Sequence, residues 1–176
     1  QRLLRKIRRV RLYGPSLASV DLVRPGYAFY ATDTAELMRW WADQARRAGA
    51  RLRMDTPFRD AARTPLGWEV GQTETRFLVG ADGPRSRVAE RLGLGRNEQF
   101  LRGVEAEIEG LEDFDPDCLH VFLDRAHAPG YIAWLVPGLG HVQVGLAARM
   151  PHAPRLDPFL AKLEGLFDFS RARVVG

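Results

Sequence analysis

The sequence predicts an α/β (α+β) chain in two parts. Residues 1–99 are expected to form part of a parallel-sheet domain, and residues 100–176 an antiparallel β-sheet domain. Three observations predict it. In the first part the elements run helix, strand, hairpin, strand, glycine turn, helix, which suits a mainly parallel sheet carrying a small β excursion. In the second part Gly103-Val104-Glu105-Ala106-Glu107-Ile108-Glu109 alternates polar and apolar residues, the mark of a half-buried strand. Between them Phe77-Leu78-Val79-Gly80-Ala81-Asp82-Gly83-Pro84-Arg85-Ser86-Arg87-Val88 reads as a buried strand, a tight turn and a helix start.

Taken in order, Val10–Tyr13 and Ser19–Val23 are predicted strands joined by the Gly14-Pro15-Ser16 turn. Tyr27–Tyr30 is short, aromatic and extended. Asp33 is placed to cap a helix, with Glu36 at capping-box spacing. Leu37, Trp41, Ala45 and Ala48 recur at helical spacing, and Gly49 ends the helix. Trp40 and Trp41 are adjacent, so they cannot face the same way. Arg51–Met54 is a predicted strand, and Phe58–Ala61 with Gly67–Val70 a predicted hairpin. In the second part Cys118–Leu123, Tyr131–Val136 and His141–Ala147 are predicted strands, with Pro137-Gly138-Leu139-Gly140 turning between the last two. A helix is predicted over 156–167, and Arg173–Val175 begins one more strand.

Composition restricts the function classes. The chain is 45% hydrophobic and 27% charged, ordinary for a soluble globular protein, and has no apolar run long enough to cross a bilayer. Cys118 is the only cysteine, which excludes an intrachain disulfide and a cysteine zinc site and suits a reducing, cytoplasmic setting. His120, His127, His141 and His152 have no metal-ligand spacing. The net charge of +4 is carried almost wholly by arginine, with lysine only at positions 6 and 162. The first twelve residues hold Arg2, Arg5, Lys6, Arg8, Arg9 and Arg11 without an acid. Such a run could contact phosphate, nucleic acid or an anionic membrane surface, but the reading expected here is a solvated edge or a segment covered by further chain, with no nucleic-acid partner.

The glycine turn concentrates the chemistry. Gly80 and Gly83 allow close backbone approach, and Pro84 suits the opening of a helix, where its missing N–H is no loss. A strand feeding such a turn and a helix start is a place where phosphates bind.

Val79-Gly80-Ala81-Asp82-Gly83-Pro84-Arg85-Ser86-Arg87-Val88 resembles the G-A-D-G-x-x-S-x-V signature of the para-hydroxybenzoate hydroxylase-like FAD enzymes, which include the geranylgeranyl reductases. The helix ending at Gly49 looks like the family segment upstream. Pro129-Gly130-Tyr131-Ile132-Ala133-Trp134-Leu135-Val136-Pro137, then Val142-Gln143-Val144-Gly145-Leu146, is similar to a segment of the reductase branch. The match runs in order from about residue 10 to residue 148.

The resemblance implies an FAD-binding domain followed by a β-sheet substrate domain. It implies that Asp82 and Gly83 lie close to FAD, supported by Arg85 and Ser86, with NAD(P)H a candidate electron donor. On the substrate side it points to Tyr131 and Trp134. Strand alternation sets these two on opposite faces unless a bulge intervenes. The function implied is a flavin-dependent oxidoreductase acting on an isoprenoid or lipid-like substrate, with contact to a membrane surface open. The alternatives are an aromatic-ring monooxygenase and a non-catalytic domain holding an apolar ligand.

The departures are informative. The family's G-x-G-x-x-G is absent, and Gly93-Leu94-Gly95 is no substitute because it follows a helix. The second Gly-Asp motif is also absent, and Thr34 stands where the family carries an Arg. With no initiator Met, the chain is read as the middle of a longer enzyme, inactive by itself and unable to hold FAD tightly.

Overall fold

The computed structural model describes residues 3–176. Its centre is a seven-stranded sheet in the order β12-β8-β11-β10-β9-β2-β3. The strands are β2 (Arg9–Tyr13), β3 (Ser19–Val23), β8 (Leu101–Glu109), β9 (Cys118–Phe122), β10 (Ala133–Pro137), β11 (Val142–Arg149) and β12 (Arg173–Val174). Every neighbouring pair is antiparallel except β2 with β9, which runs parallel from Arg9↔Cys118 to Tyr13↔Phe122. That pairing draws the start of the chain into the sheet of the second half.

Two compact units result. One comprises residues 1–47 and 100–176, and the other residues 48–99. The sequence predicts a break at 99/100 and a first domain beginning at residue 1. The difference lies in the β2–β9 ladder, which residues 9–13 complete with partners more than a hundred positions away.

The sheet buries one face. Tyr13, Phe122, Ala133, Leu135, Val144 and Leu146 point into a core closed by α3 (Leu156–Leu163), whose Phe159 and Leu163 are fully buried. Strand β10 shows the alternation clearly: Ala133, Leu135 and Pro137 are buried, while Trp134 and Val136 between them are half-buried. The predicted helix over 156–167 stops at Leu163. Its last turn closes with Leu166 and Phe167 N–H bonds to the Leu163 carbonyl, and Glu112 and Asp168 then form a bridge.

In the same unit β1 (Leu4–Ile7) pairs with β4 (Phe29–Thr32), so the basic stretch forms strands. Arg11 grips Asp21 at 2.6 and 2.8 Å, Arg9 pairs with Asp115 and Asp21, and Arg5 donates to the carbonyls of Pro116 and Gly138. Much of that charge is thus spent inside the chain; Arg2 lies outside the described residues. Helix α1 (Thr34–Arg47) starts as predicted, with Asp33 Oδ1 accepting the Glu36 N–H at 3.0 Å.

The 48–99 unit holds β5 (Ala62–Thr64), β6 (Gly67–Val70) and β7 (Thr73–Thr75) in a three-stranded antiparallel sheet. Arg63 lies 4.1 Å over the Trp68 ring there. Arg51–Met54 and Phe77–Val79, both predicted strands, have no ladder partners among the described residues, and Phe77 and Val79 are 76% and 81% exposed. A short apolar run becomes a strand only where a neighbour supplies hydrogen bonds.

Candidate functional site

The Asp82–Gly83 turn is built around the short helix α2 (Arg87–Arg91). Asp82 Oδ2 accepts the N–H groups of Arg87 at 2.7 Å and Val88 at 3.2 Å, and Oδ1 accepts the Ser86 hydroxyl. Ser86 Oγ in turn accepts the Ala89 N–H at 2.9 Å. The first N–H groups of α2 are therefore satisfied by the chain itself. The Ser86 hydroxyl, with the N–H groups of Val88 and Arg87, holds the Asp82 carboxyl below the usual carboxylate range.

Gly83 behaves differently. It has φ +85°, and nothing lies within 4 Å of where a Cβ would sit. Its backbone is open to close approach by a phosphate or sugar. Arg85 follows two residues on and is exposed. The turn thus fits one contact of a phosphate-bearing cofactor, made at Gly83, with Asp82 and Ser86 holding the turn in shape.

The other candidate lies on the sheet face opposite the core. Cross-strand register lines up Leu12, Val121, Trp134, Gly145 and Glu105 on β2, β9, β10, β11 and β8. One residue pair along, Val10 stands beside Leu119. This face is largely apolar until it reaches Glu105 and Glu107. The indole of Trp134 lies over Gly145: a Cβ there would come within 2.6 Å of the ring. The indole Nε1–H then donates to Glu105 Oε2 at 2.8 Å.

Tyr131 is not on this strand. It sits in the bend before β10, 47% exposed, with its N–H bonded to the Ala128 carbonyl. Regular alternation starts only at Ala133, so the opposite-face argument for Tyr131 and Trp134 does not apply. Sequence reasoning missed Glu105 as the partner of Trp134. The available signal was its place in an alternating strand, on the side away from Ala106 and Ile108.

Three histidines among the described residues have side-chain partners, one of them His141, whose Nε2 lies 3.5 Å from Glu107 Oε1. His120 is buried, with Nδ1 2.8 Å from the Tyr13 hydroxyl, among the rings of Phe114 and Phe167. Burial, reinforced by Arg11 and Arg9, pushes its pKa down to about 4. His127 Nδ1 lies 2.8 Å from Asp124 Oδ2.

Comparison with known proteins places this geometry. No protein-family model matches the chain. It is 28% identical over 87% of its length to digeranylgeranylglycerophospholipid reductase 2 of Methanothermobacter thermautotrophicus, covering 43% of that protein. It is 24% identical over 93% of its length to geranylgeranyl diphosphate reductase of Rhodobacter capsulatus, covering 45% of it. The chain is similar in sequence to geranylgeranyl reductases. It spans less than half the length of these two relatives. Its fold matches a geranylgeranyl bacteriochlorophyll reductase-like protein from Thermoplasma acidophilum with a TM-score of 0.77 and 20% identity, over 97% of this chain and 48% of that one. The likeness in fold covers both the turn and the sheet face.

Proposed function

We propose that the chain is the flavin-proximal and substrate-facing part of an FAD-dependent reductase of isoprenoid or lipid-like chains. The observation that carries this is the apolar sheet face on which Trp134 is fixed between Gly145 and Glu105. It offers an extended, half-buried apolar wall with a polar margin, suited to a long hydrocarbon bearing one polar end. The reductase relatives support the same substrate class.

In this proposal Gly83 meets the phosphate-bearing part of FAD through its backbone, and Arg85 offsets phosphate charge. Asp82 and Ser86 position the turn. Trp134 contacts substrate and excludes water from it, and Tyr131 stands at the strand entrance as a second contact. The chemistry that FAD supplies when bound is hydride transfer to a carbon–carbon double bond, with NAD(P)H the proposed electron donor. A substrate of this kind resides in membranes, so contact with a membrane surface is part of the proposal. No helix among the described residues is long and apolar enough to cross one.

The test is anaerobic turnover of the full encoded protein with reduced flavin and a prenyl substrate, read by product mass. A gain of one H₂ per double bond is expected, and Trp134→Ala is expected to raise KM without lowering flavin content. Oxygen-dependent hydroxylation of an aromatic would replace this reading with the monooxygenase one. Tight prenyl binding without turnover would replace it with that of a binding domain.

A further inference from the structure

The 48–99 unit carries a second feature, separate from the turn's open glycine. Three segments meet around a cleft of about 490 Å³: Phe58 and Arg59 before the three-stranded sheet, Arg87, Glu90 and Arg91 on α2, and Arg96 in the loop beyond. Four guanidinium groups therefore line one concavity. Two are committed. Arg91 forms a two-pronged pair with Asp60, its Nη2 lying 3.0 Å from Oδ2, and Arg96 pairs with Glu90. Arg59 and Arg87 have no side-chain partner among the described residues.

The frame is fixed by contacts distant in sequence. The Arg91–Asp60 pair spans 31 positions and ties α2 to the segment bearing Arg59. Asn97 Nδ2 donates to the Pro84 carbonyl at 2.9 Å, which pins the loop carrying Arg96. Arg87 opens α2, and its N–H is held by Asp82. Two uncommitted arginines are thus presented beside two that are already oriented, with half-buried Phe58 as an apolar wall. Guanidinium groups so placed match the oxygens of a phosphate group in pairs.

We propose that this cleft binds a phosphate-bearing small molecule, with Arg59 and Arg87 as its primary contacts. The ligand chemistry is a diphosphate or phosphomonoester, carried either by a phosphorylated nicotinamide dinucleotide or by a prenyl diphosphate.

The experiment is titration of the full chain with inorganic pyrophosphate, followed by calorimetry and ³¹P line width. Saturable binding that weakens as salt rises is expected. Arg59→Ala and Arg87→Ala should each weaken it about tenfold or more, and the lysine variants should retain part of it. Arg39→Ala on α1 should leave it unchanged, and far-UV circular dichroism confirms that each variant is folded. Binding that is absent, or equal in the Arg59→Ala/Arg87→Ala double variant, overturns the proposal.

Competition identifies the source. Displacement of pyrophosphate by NADPH alone marks a nucleotide phosphate, and displacement by geranylgeranyl diphosphate alone marks a substrate phosphate. Displacement by neither overturns the proposal. Because the readout is anion binding, its failure leaves the flavin reductase reading standing.

Discussion

Trp134 on β10 reaches across β11 to bond Glu105 on β8, its Nε1–H donating to Oε2 at 2.8 Å. The residue between them is Gly145, directly opposite both in the ladders. A glycine inside a strand ordinarily weakens it. Here its missing side chain is what lets an indole lie flat on the sheet and present one edge to a carboxylate.

Gly145→Ala should therefore disturb the tryptophan more than the strand. The added methyl would sit 2.6 Å from the ring, so the ring must move. A stability loss of about 1–3 kcal/mol in urea unfolding is expected, the usual cost of overpacking. Indole emission should change at the same time. Glu105→Gln keeps an acceptor and should cost less than about 1 kcal/mol. An alanine variant with native stability and native emission would show that Trp134 is not seated on Gly145.

His120 sets a pH dependence. Its folded pKa lies near 4, against an ordinary value of 6.5, because burial disfavours the charged ring. Between those values the unfolded chain binds the proton and the folded chain does not, so stability rises with pH through the window. The contribution is fully present above about pH 6.5 and is lost as pH falls toward 4, at most about 3 kcal/mol. His120→Phe should lower stability at pH 8, since the Tyr13 hydroxyl loses its bond to the imidazole. It should also flatten the slope between pH 6.5 and 4. A slope unchanged in that variant would assign the acid sensitivity to other groups.

How far the sequence reveals the molecule depends on how local each cause is. The alternation of β8 and the Asp33 cap are contained within a few residues, and both were legible. The β2–β9 ladder, the Trp134–Glu105 bond and the arginine cleft join segments 29 or more positions apart, and no local signal marks them. Phe77–Val79 failed for the opposite reason. Its apolar composition is a local property, but strand formation depends on a pairing partner, which the run lacks among the described residues. At Asp82 the motif located the turn. It did not reveal that the carboxylate is taken by Ser86, Arg87 and Val88.

That commitment of Asp82 yields a prediction. If the carboxylate shapes the turn, Asp82→Ala should release α2 locally. Ser86→Ala should cost about 1 kcal/mol as the loss of a helix cap. Because Ser86 donates to Asp82 and also accepts from Ala89, the double variant should cost less than the sum of the two. Amide exchange at Val88 and Ala89 is the direct measurement, and both should exchange faster in either variant. Unchanged protection in Asp82→Ala would assign the carboxylate to a ligand rather than to the fold.

The last prediction concerns Asp124, a buried carboxylate just beyond β9. Lys162 Nζ donates to it at 2.5 Å and also to the Pro15 carbonyl at 2.7 Å, while His127 and the Ala126 N–H supply further bonds. Burial alone would raise the Asp124 pKa, but the bonds from Lys162 and His127 outweigh it, and the carboxyl lies below its ordinary value. One charge thus ties α3 and the β2–β3 turn to the loop preceding the Tyr131 bend. Removing only the lysine, as in Lys162→Met, leaves a buried anion without its cation and should cost about 3 kcal/mol or more. Adding Asp124→Asn should recover part of that loss, because no uncompensated charge then remains. Chemical denaturation of the single and double variants at pH 7 measures both effects. A double variant less stable than Lys162→Met would mean that the Asp124 charge is held mainly by His127 and the loop amide, with Lys162 contributing little.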